Sequence, residues 1–176
     1  MHVYDADIAA REVIAPGSEG LAAIVQHFGA GVLDGNGQLD RAAMRQRVFG
    51  NDIERRALEA ITHPRIRAWL RDRVNADRGA YCMLAIPLLA ENHDEYRWVD
   101  RILVVDVPES VQRERLMQRD GIDEALAQRM IDRQARREQR LALAHDVIEN
   151  SGDESALDHA VGALHARYLP LAQAKR

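Results

Sequence analysis

Two apolar stretches decide the fold: YCMLAIPLL at residues 81–89 and RILVVDV at residues 101–107. Neither stretch alternates apolar with polar residues, which is typical of strands in a parallel sheet that is covered on both faces. HVYD at 2–5 and DVIEN at 146–150 are predicted as two further short strands. Because helix signals follow the strands, the sequence predicts an α/β protein with a parallel sheet.

The remaining chain carries helix patterns with recognisable starts and ends. Asp40 and Asp123 are predicted N-caps, Gly121 a helix end, and Thr62-His63-Pro64 a new helix start with proline in the first turn. Leu126, Met130 and Ile131 are expected to face the core, as are Leu157, Val161, Leu164 and Tyr168 of a last helix. The predicted helices cover residues 6–14, 19–28, about 41–48, 52–61, 62–74, 109–119, 124–131, 136–143 and about 157–168.

The length of 176 residues suits a single domain, here residues 1–176. The predicted helical block from 12 to 80 separates the first strand from the second. It is too long for a simple crossover between parallel strands, and we interpret it as an insertion that closes over a substrate.

Composition excludes several classes of protein. The chain has 47% hydrophobic and 30% charged residues, which describes a globular protein rather than a disordered one. Its net charge of −4 argues against a nucleic-acid partner, which usually meets a basic surface. The apolar runs are too short to cross a bilayer, so we expect no membrane partner and a cytoplasmic location. The seven histidines show no metal-ligand spacing, and Cys82 in its apolar run is expected to be a buried, inert thiol.

The chain opens with a strand that ends in two aspartates, Asp5 and Asp7, followed by Arg11. Ligands of open α/β sheets bind at the carboxyl ends of the strands, and a carboxylate there can deprotonate an acceptor hydroxyl. The alternative is a helix N-cap, which aspartate also favours. IPLLAEN at 86–92 places an acidic residue just after a strand, where a core strand followed by a solvated loop is the alternative. DVIENSG at 146–152 is a strand and turn that could lie against an adenine ring.

Residues 112–140 hold eight arginines and six acidic residues. Such a run usually forms solvated helices with ion pairs between residues i and i+4. The functional interpretation is a lid whose arginines close on a transferring phosphoryl group.

In this order the segments resemble dephospho-coenzyme A kinase, a P-loop kinase family, over essentially the whole chain. The resemblance rests on the following residues: Asp5, Asp7 and Arg11; His63 and Pro64; Pro87 to Glu91; Val104 to Asp106; Gln112, Arg115 and Arg119; Gln134 and Arg140; Val147 to Gly152. His145 stands where the family usually has an aspartate.

The resemblance implies a nucleotide-kinase-like fold and the phosphorylation of the 3′-hydroxyl of dephospho-coenzyme A by ATP with Mg²⁺. Asp7 is implied as the base and Arg140 as the main lid arginine, and no metal ligand of the protein is implied. Residues 12–80 would hold the pantetheine end of the acceptor. The implied substrate-binding residues are Asp5, Arg11, His63, Pro87, Leu88 and Glu91, and the implied nucleotide or lid residues are Arg115, Arg119, Arg137 and Asn150.

One part of the family pattern has no counterpart in these 176 residues. The first strand and the phosphate loop G-x-x-x-x-G-K-[ST] are absent, and the only lysine is Lys175. The resemblance places that strand between the strands at 81–87 and 101–107, so we expect unpaired strand edges there and an inactive 176-residue chain. Two alternatives stay open: a non-catalytic coenzyme A-type binding module, and another small nucleoside or nucleotide kinase.

Overall fold

The structure, a computed structural model, describes residues 1–174, so Lys175 lies outside the described residues. The chain divides into two compact units, one of residues Met1–Pro87 and one from Leu88 onward. The first unit contains β1 (His2–Asp5), α1 (Ala6–Glu12), α2 (Glu19–Phe28), α3 (Arg41–Val48), α4 (Asp52–Ala76) and β2 (Cys82–Ala85). The second contains β3 (Leu103–Asp106), α5 (Glu109–Asp120), α6 (Glu124–Asp132), α7 (Arg137–Leu143), β4 (Asp146–Glu149) and α8 (Glu154–Ala174).

Each unit holds one pair of parallel strands, which confirms the predicted parallel α/β fold. In the first, β1 pairs with β2 from His2 opposite Cys82 to Asp5 opposite Ala85. In the second, β3 pairs with β4 from Leu103 opposite Asp146 onward. Within residues 1–174, each of the four strands has a single strand neighbour, which agrees with the expectation of unpaired strand edges on β2 and β3.

The expectation that the strands are covered on both faces is wrong for part of the sheet surface. Val3, Val105 and Val147 are each about half exposed. A pair of four-residue strands is narrow, and these three side chains are left partly uncovered. Cys82 on β2 is half-buried, and burial, followed by the nearby Asp77 carboxylate, raises the pKa of its thiol. A raised pKa disfavours the thiolate, in agreement with an inert cysteine.

Helices fill the chain between β1 and β2, and they form their own core. Ile24, Phe28, Val32 and Met44 are buried together, with Leu58 among the side chains packed against them. Gly20 is required where α2 begins, because a Cβ there would lie 2.0 Å from the carbonyl oxygen of Val13. The predicted caps are confirmed, since Asp40 accepts from Ala42 N–H and Asp123 from Leu126 N–H.

The predicted helix start at Thr62-His63-Pro64 is wrong, because α4 runs unbroken from Asp52 to Ala76 with Pro64 inside it. Proline removes one backbone donor but does not have to end a helix whose other groups are satisfied. Here the Thr62 hydroxyl donates to the carbonyl of Leu58 at 2.9 Å, and Arg65 Nη1 donates to the carbonyl of Ile61 at 2.7 Å. Side chains thus support the turns on either side of Pro64.

Some residues that were expected in the core are exposed. Ile131 of α6 is buried, but Leu126 and Met130 are more than a third exposed, and the fully buried residue of that helix is Ala127. On α8, Leu157, Leu164 and Tyr168 are half-buried, whereas Val161 is half exposed. Helical periodicity marks an apolar stripe, but a single neighbouring element covers only part of its width.

Candidate active site

The carboxyl end of β1 separates the two aspartates into different roles. Asp5 is the N-cap of α1, and its Oδ1 accepts the N–H of Asp7 at 2.7 Å. Asp7 lies in the first turn of α1 and is exposed, and within residues 1–174 its carboxylate makes no hydrogen bond or ion pair. Arg11, one turn further along, is exposed and equally free of partners in that part of the chain. The cap explanation therefore applies to Asp5, and Asp7 is available to a ligand.

Contacts on both sides of Asp7 hold this strand and helix in place. Ala9 of α1 is fully buried, and Glu12 at the end of α1 accepts from Trp69 Nε1 of α4 at 3.0 Å. On β1, Tyr4 donates its hydroxyl to Asp77 at 2.8 Å, and this bond, followed by burial, raises the pKa of Tyr4. Asp7 thus projects from a short helix that is fixed at both ends.

The other predicted acceptor residues of the first unit come from α4 and from the turn after β2, whose last residue Ala85 lies opposite Asp5. His63 is exposed near the middle of α4, and Pro87 is exposed in the turn that follows β2. Among the described residues no hydrogen bond or ion pair joins His63 to Asp5, Asp7 or Arg11. Their roles in binding the acceptor stay predictions.

In the second unit, two of the predicted lid arginines, Arg137 and Arg140, line a cavity of about 520 Å³. Its lining includes Pro108, Gln112, Gln134, Arg136, Arg137 and Arg140. The acidic residues Glu109, Asp132 and Glu138 also belong to its lining. The cavity lining therefore combines three arginines with three acidic residues and two glutamines. Its guanidinium groups are the part that could bind an anionic group.

Two of these arginines are held by partners on the protein. Arg137 donates from Nε and Nη2 to the carboxylate of Asp106 at the end of β3, at 2.5–3.0 Å, and this carboxylate raises the pKa of Arg137. Arg140 is half-buried and donates from Nη1 to the carbonyl of Ala135 at 2.6 Å. The arginines of α7 are thus oriented by the protein itself.

Glu91 and Leu88, which were predicted to bind substrate, both lie in the turn of residues 87–92, where the second unit begins. Glu91 Oε1 accepts the N–H of Ala135 at 2.7 Å, in the loop between α6 and α7. Leu88 is half exposed, and its carbonyl accepts from Asn92 Nδ2 at 3.0 Å. The structure brings Glu91 together with the lid loop.

The remaining nucleotide-side predictions lie away from the cavity wall. Arg115 and Arg119 are exposed on α5, and Arg119 pairs with its neighbour Asp120. Asn150 follows β4, and its backbone N–H donates to the carbonyl of Asp106 at 2.8 Å. Their roles toward a nucleotide stay predictions.

Two buried aspartates were not predicted as functional or structural centres. Asp106 receives Arg137, and Asp146 receives Arg101 Nε at 2.9 Å, the Tyr168 hydroxyl at 2.8 Å and Arg167. The Arg101 hydrogen bond is the main cause of a lowered pKa for Asp146. The sequence did offer a signal for both: each is an acidic residue in an apolar strand, and a buried carboxylate needs hydrogen-bonding or charged partners.

His145 has a local structural role. Its Nδ1 accepts the backbone N–H of Ile102 at 3.1 Å, a bond that an aspartate carboxylate could also accept. The imidazole of His145 can therefore take the place of an aspartate carboxylate as the hydrogen-bond acceptor for Ile102 beside β3.

Among the described residues, no three His, Cys, Asp or Glu side chains form a group that could hold a metal ion. No helix in that part of the chain is both long and apolar enough to span a bilayer.

Comparison with solved structures defines the class of fold. The crystal structure of TT1252 from Thermus thermophilus matches with a TM-score of 0.75 and 28% identity, over 94% of this chain and 84% of that one. The dephospho-CoA kinase from Campylobacter jejuni matches with a TM-score of 0.67 and 21% identity, over 100% of this chain and 87% of that one. The fold is that of the α/β nucleotide-type kinases.

Sequence comparison identifies the family. The dephospho-CoA kinase family model matches residues 1–156. The dephospho-CoA kinase of Xanthomonas campestris is 51% identical over 176 residues, which is 99% of this chain and 84% of the relative. That of Vibrio vulnificus is 45% identical over 174 residues, 99% of this chain and 86% of the relative. The chain belongs to the dephospho-CoA kinase family, a family of phosphotransferases.

Proposed function

We propose that this protein transfers the γ-phosphoryl group of ATP to the ribose 3′-hydroxyl of dephospho-CoA, giving CoA and ADP. Family membership supports the reaction. The observation that carries the acceptor chemistry is Asp7, an exposed carboxylate without a protein partner at the carboxyl end of a parallel strand. An aspartate whose carboxylate is held by a partner on the protein is less free to approach the hydroxyl of a ligand.

In this proposal Asp7 accepts the proton of the 3′-hydroxyl as its oxygen attacks phosphorus. Asp5 holds the first turn of α1 by capping it, and thereby sets the position of Asp7. The guanidinium of Arg11, on the same helix, offers charge to the acceptor's phosphates. His63, Pro87 and Leu88 are proposed on the acceptor side, and the helices within 12–80 are proposed to hold the pantetheine arm.

The cavity beside α7 is the proposed place for phosphate charge. Its volume of about 520 Å³ lies in the range of roughly 300–1,000 Å³ that is common for small-molecule sites. Arg140 and Arg136 line it, and Arg137 is oriented by Asp106. Guanidinium groups placed on a transferring phosphoryl group stabilise its developing charge. Arg115, Arg119 and Asn150 are proposed to lie near the nucleotide.

ATP and Mg²⁺ fit these residues only in part. ATP supplies the phosphoryl group, and Mg²⁺ neutralises charge on its phosphate oxygens. The lid arginines fit the phosphates, but residues 1–176 contain no P-loop to hold the β- and γ-phosphates. Mg²⁺ is usually bound through one or two carboxylates and the phosphates themselves, so the lack of a three-carboxylate group in the described residues is compatible with it. A cytoplasmic location is proposed with this reaction.

The test is a phosphotransfer assay with a form extended at its N-terminus by a strand and a P-loop. Incubation with ATP, Mg²⁺ and dephospho-CoA should give a product with a 3′-phosphate in ³¹P NMR, together with one ADP per CoA. A panel of nucleosides and nucleotides as acceptors separates this function from another small kinase. Tight binding of dephospho-CoA without any ADP formation would instead indicate the non-catalytic binding module.

A further inference from the structure

The loop between α6 and α7, residues 133–136, is held by three hydrogen bonds to consecutive polar backbone groups. The N–H of Ala135 donates to Glu91 Oε1 at 2.7 Å, and the carbonyl of Ala135 accepts from Arg140 Nη1 at 2.6 Å. The N–H of Arg136 donates to Gln139 Oε1 at 2.8 Å. The loop that leads into the arginine helix α7 is therefore fixed just before Arg137 begins that helix.

Only one of these three bonds comes from a distant part of the sequence. Gln139 and Arg140 lie within α7, three and five residues from their partners, and move with the loop. Glu91 is 44 residues away and belongs to the turn of residues 87–92. That turn is itself closed by the bond from Asn92 to the Leu88 carbonyl. Glu91 thus ties the loop to a separate part of the same unit.

We propose that Glu91 is a positioning residue, which acts on the reaction through Ala135 and Arg140 and not by binding the acceptor. Its carboxylate holds the N–H of Ala135, and the carbonyl of Ala135 holds the guanidinium of Arg140. Loss of Glu91 would release the loop and with it the preferred direction of Arg140. This inference rests on the proposed role of Arg140 toward the phosphoryl group.

The first experiment measures the contact without any enzymatic activity. Amide hydrogen exchange is recorded for the 176-residue chain, with Ala127, a fully buried residue of α6, as internal reference. Glu91→Ala should accelerate exchange at Ala135 and leave Ala127 protected. Glu91→Gln should restore protection, because its amide oxygen can accept the same bond. Glu114→Ala, an exposed residue of α5, is the matched control and should change neither amide.

The second experiment uses the P-loop-extended form and separates kcat from KM. Glu91→Ala should lower kcat by up to about 100-fold, the cost of a small misplacement of a catalytic group, with KM for dephospho-CoA unchanged. Glu91→Gln should restore most of the activity. The double variant Glu91→Ala with Arg140→Ala should be no slower than Arg140→Ala alone, because both changes remove the same interaction.

Three results would overturn the proposal. They are unchanged exchange at Ala135 in Glu91→Ala, a raised KM for dephospho-CoA with normal kcat, and additive effects of the Glu91 and Arg140 changes. If Glu91→Ala also exposes Ala127, Glu91→Asp, which is one methylene shorter, replaces it and is judged by the same criteria. An extended protein that phosphorylates a different acceptor would refute the proposed function, whereas the exchange result would still decide the Glu91 contact.

Discussion

Replacing Asp7 by asparagine tests the division of labour between the two aspartates at the end of β1. Asparagine keeps the size of the side chain but cannot take a proton. A general base contributes about 10²–10⁴-fold to rate, or roughly 3–5 kcal/mol of transition-state stabilisation. We therefore expect Asp7→Asn in the P-loop-extended form to lower kcat by that factor.

The effect of the same change on stability should be small. Asp7 is exposed, is not the cap of α1 and has no side-chain partner among residues 1–174. Its remaining contribution is the interaction of a negative charge with the helix N-terminus, typically about 0.3–1 kcal/mol. For a chain of this length that corresponds to a change in Tm of about 4 °C or less.

Asp5 supplies the matched control. It caps α1 through the N–H of Asp7 at 2.7 Å, so Asp5→Ala should cost about 0.5–2 kcal/mol of folding stability. Asp5→Asn should keep the cap and most of the stability. Thermal unfolding followed by circular dichroism measures both changes in the 176-residue chain.

Turnover is measured by ADP release with dephospho-CoA as acceptor, and the product is checked by ³¹P NMR. Wild-type kcat in Asp7→Asn would refute the role of Asp7 as base. A loss of activity that is matched by a loss of Tm as large as that of Asp5→Ala would reduce Asp7 to a structural residue.

Three further predictions concern the phosphate side and the core of the second unit. The polypeptide of residues 1–176 alone should form no ADP with dephospho-CoA, because it contains no P-loop sequence; rates near about 1–100 per second would contradict this. In the extended form, Arg140→Lys and Arg140→Ala should both lower turnover with little change in Tm, because the ammonium group of lysine cannot replace the planar, forked guanidinium of arginine. A fully active lysine variant would instead indicate that Arg140 is a solvated ion-pairing residue. Asp146→Asn should lower Tm most near pH 7, because the pKa of Asp146 is lowered in the folded state, chiefly by Arg101. The stabilisation from this ionised carboxylate is present above the unfolded pKa of about 3.9 and is lost as the pH falls through the folded pKa. The Tm difference from wild type should therefore shrink between pH 5 and pH 3, and a constant difference would exclude this linkage.

Local sequence signals predicted much of the secondary structure. The bounds of α2 and α3, the caps at Asp40 and Asp123 and the helix end at Gly121 all follow from side-chain and backbone preferences within a few residues. The family could also be predicted, because the ordered motifs are read along the chain and do not depend on packing. Strand pairing was predictable in kind, since continuous apolar runs favour parallel strands.

Tertiary structure decided what local preference left open. Whether Pro64 ends a helix depends on side chains that support the neighbouring turns, and here Thr62 and Arg65 do so. Which face of α6 is buried depends on the element packed against it, so that Ala127 is buried and Met130 is exposed.

The candidate site shows the same limit most clearly. The sequence predicted Asp5 and Asp7 together as site residues. Only the backbone geometry shows that Asp5 is the cap of α1 and that the carboxylate of Asp7 is free of partners among residues 1–174. The sequence predicted Glu91 and Arg140 as separate site residues, whereas in the structure both are hydrogen-bonded to the backbone of Ala135. Hydrogen bonds between residues 44 positions apart leave no periodic signal in a single sequence, because their geometry exists only once the chain has folded.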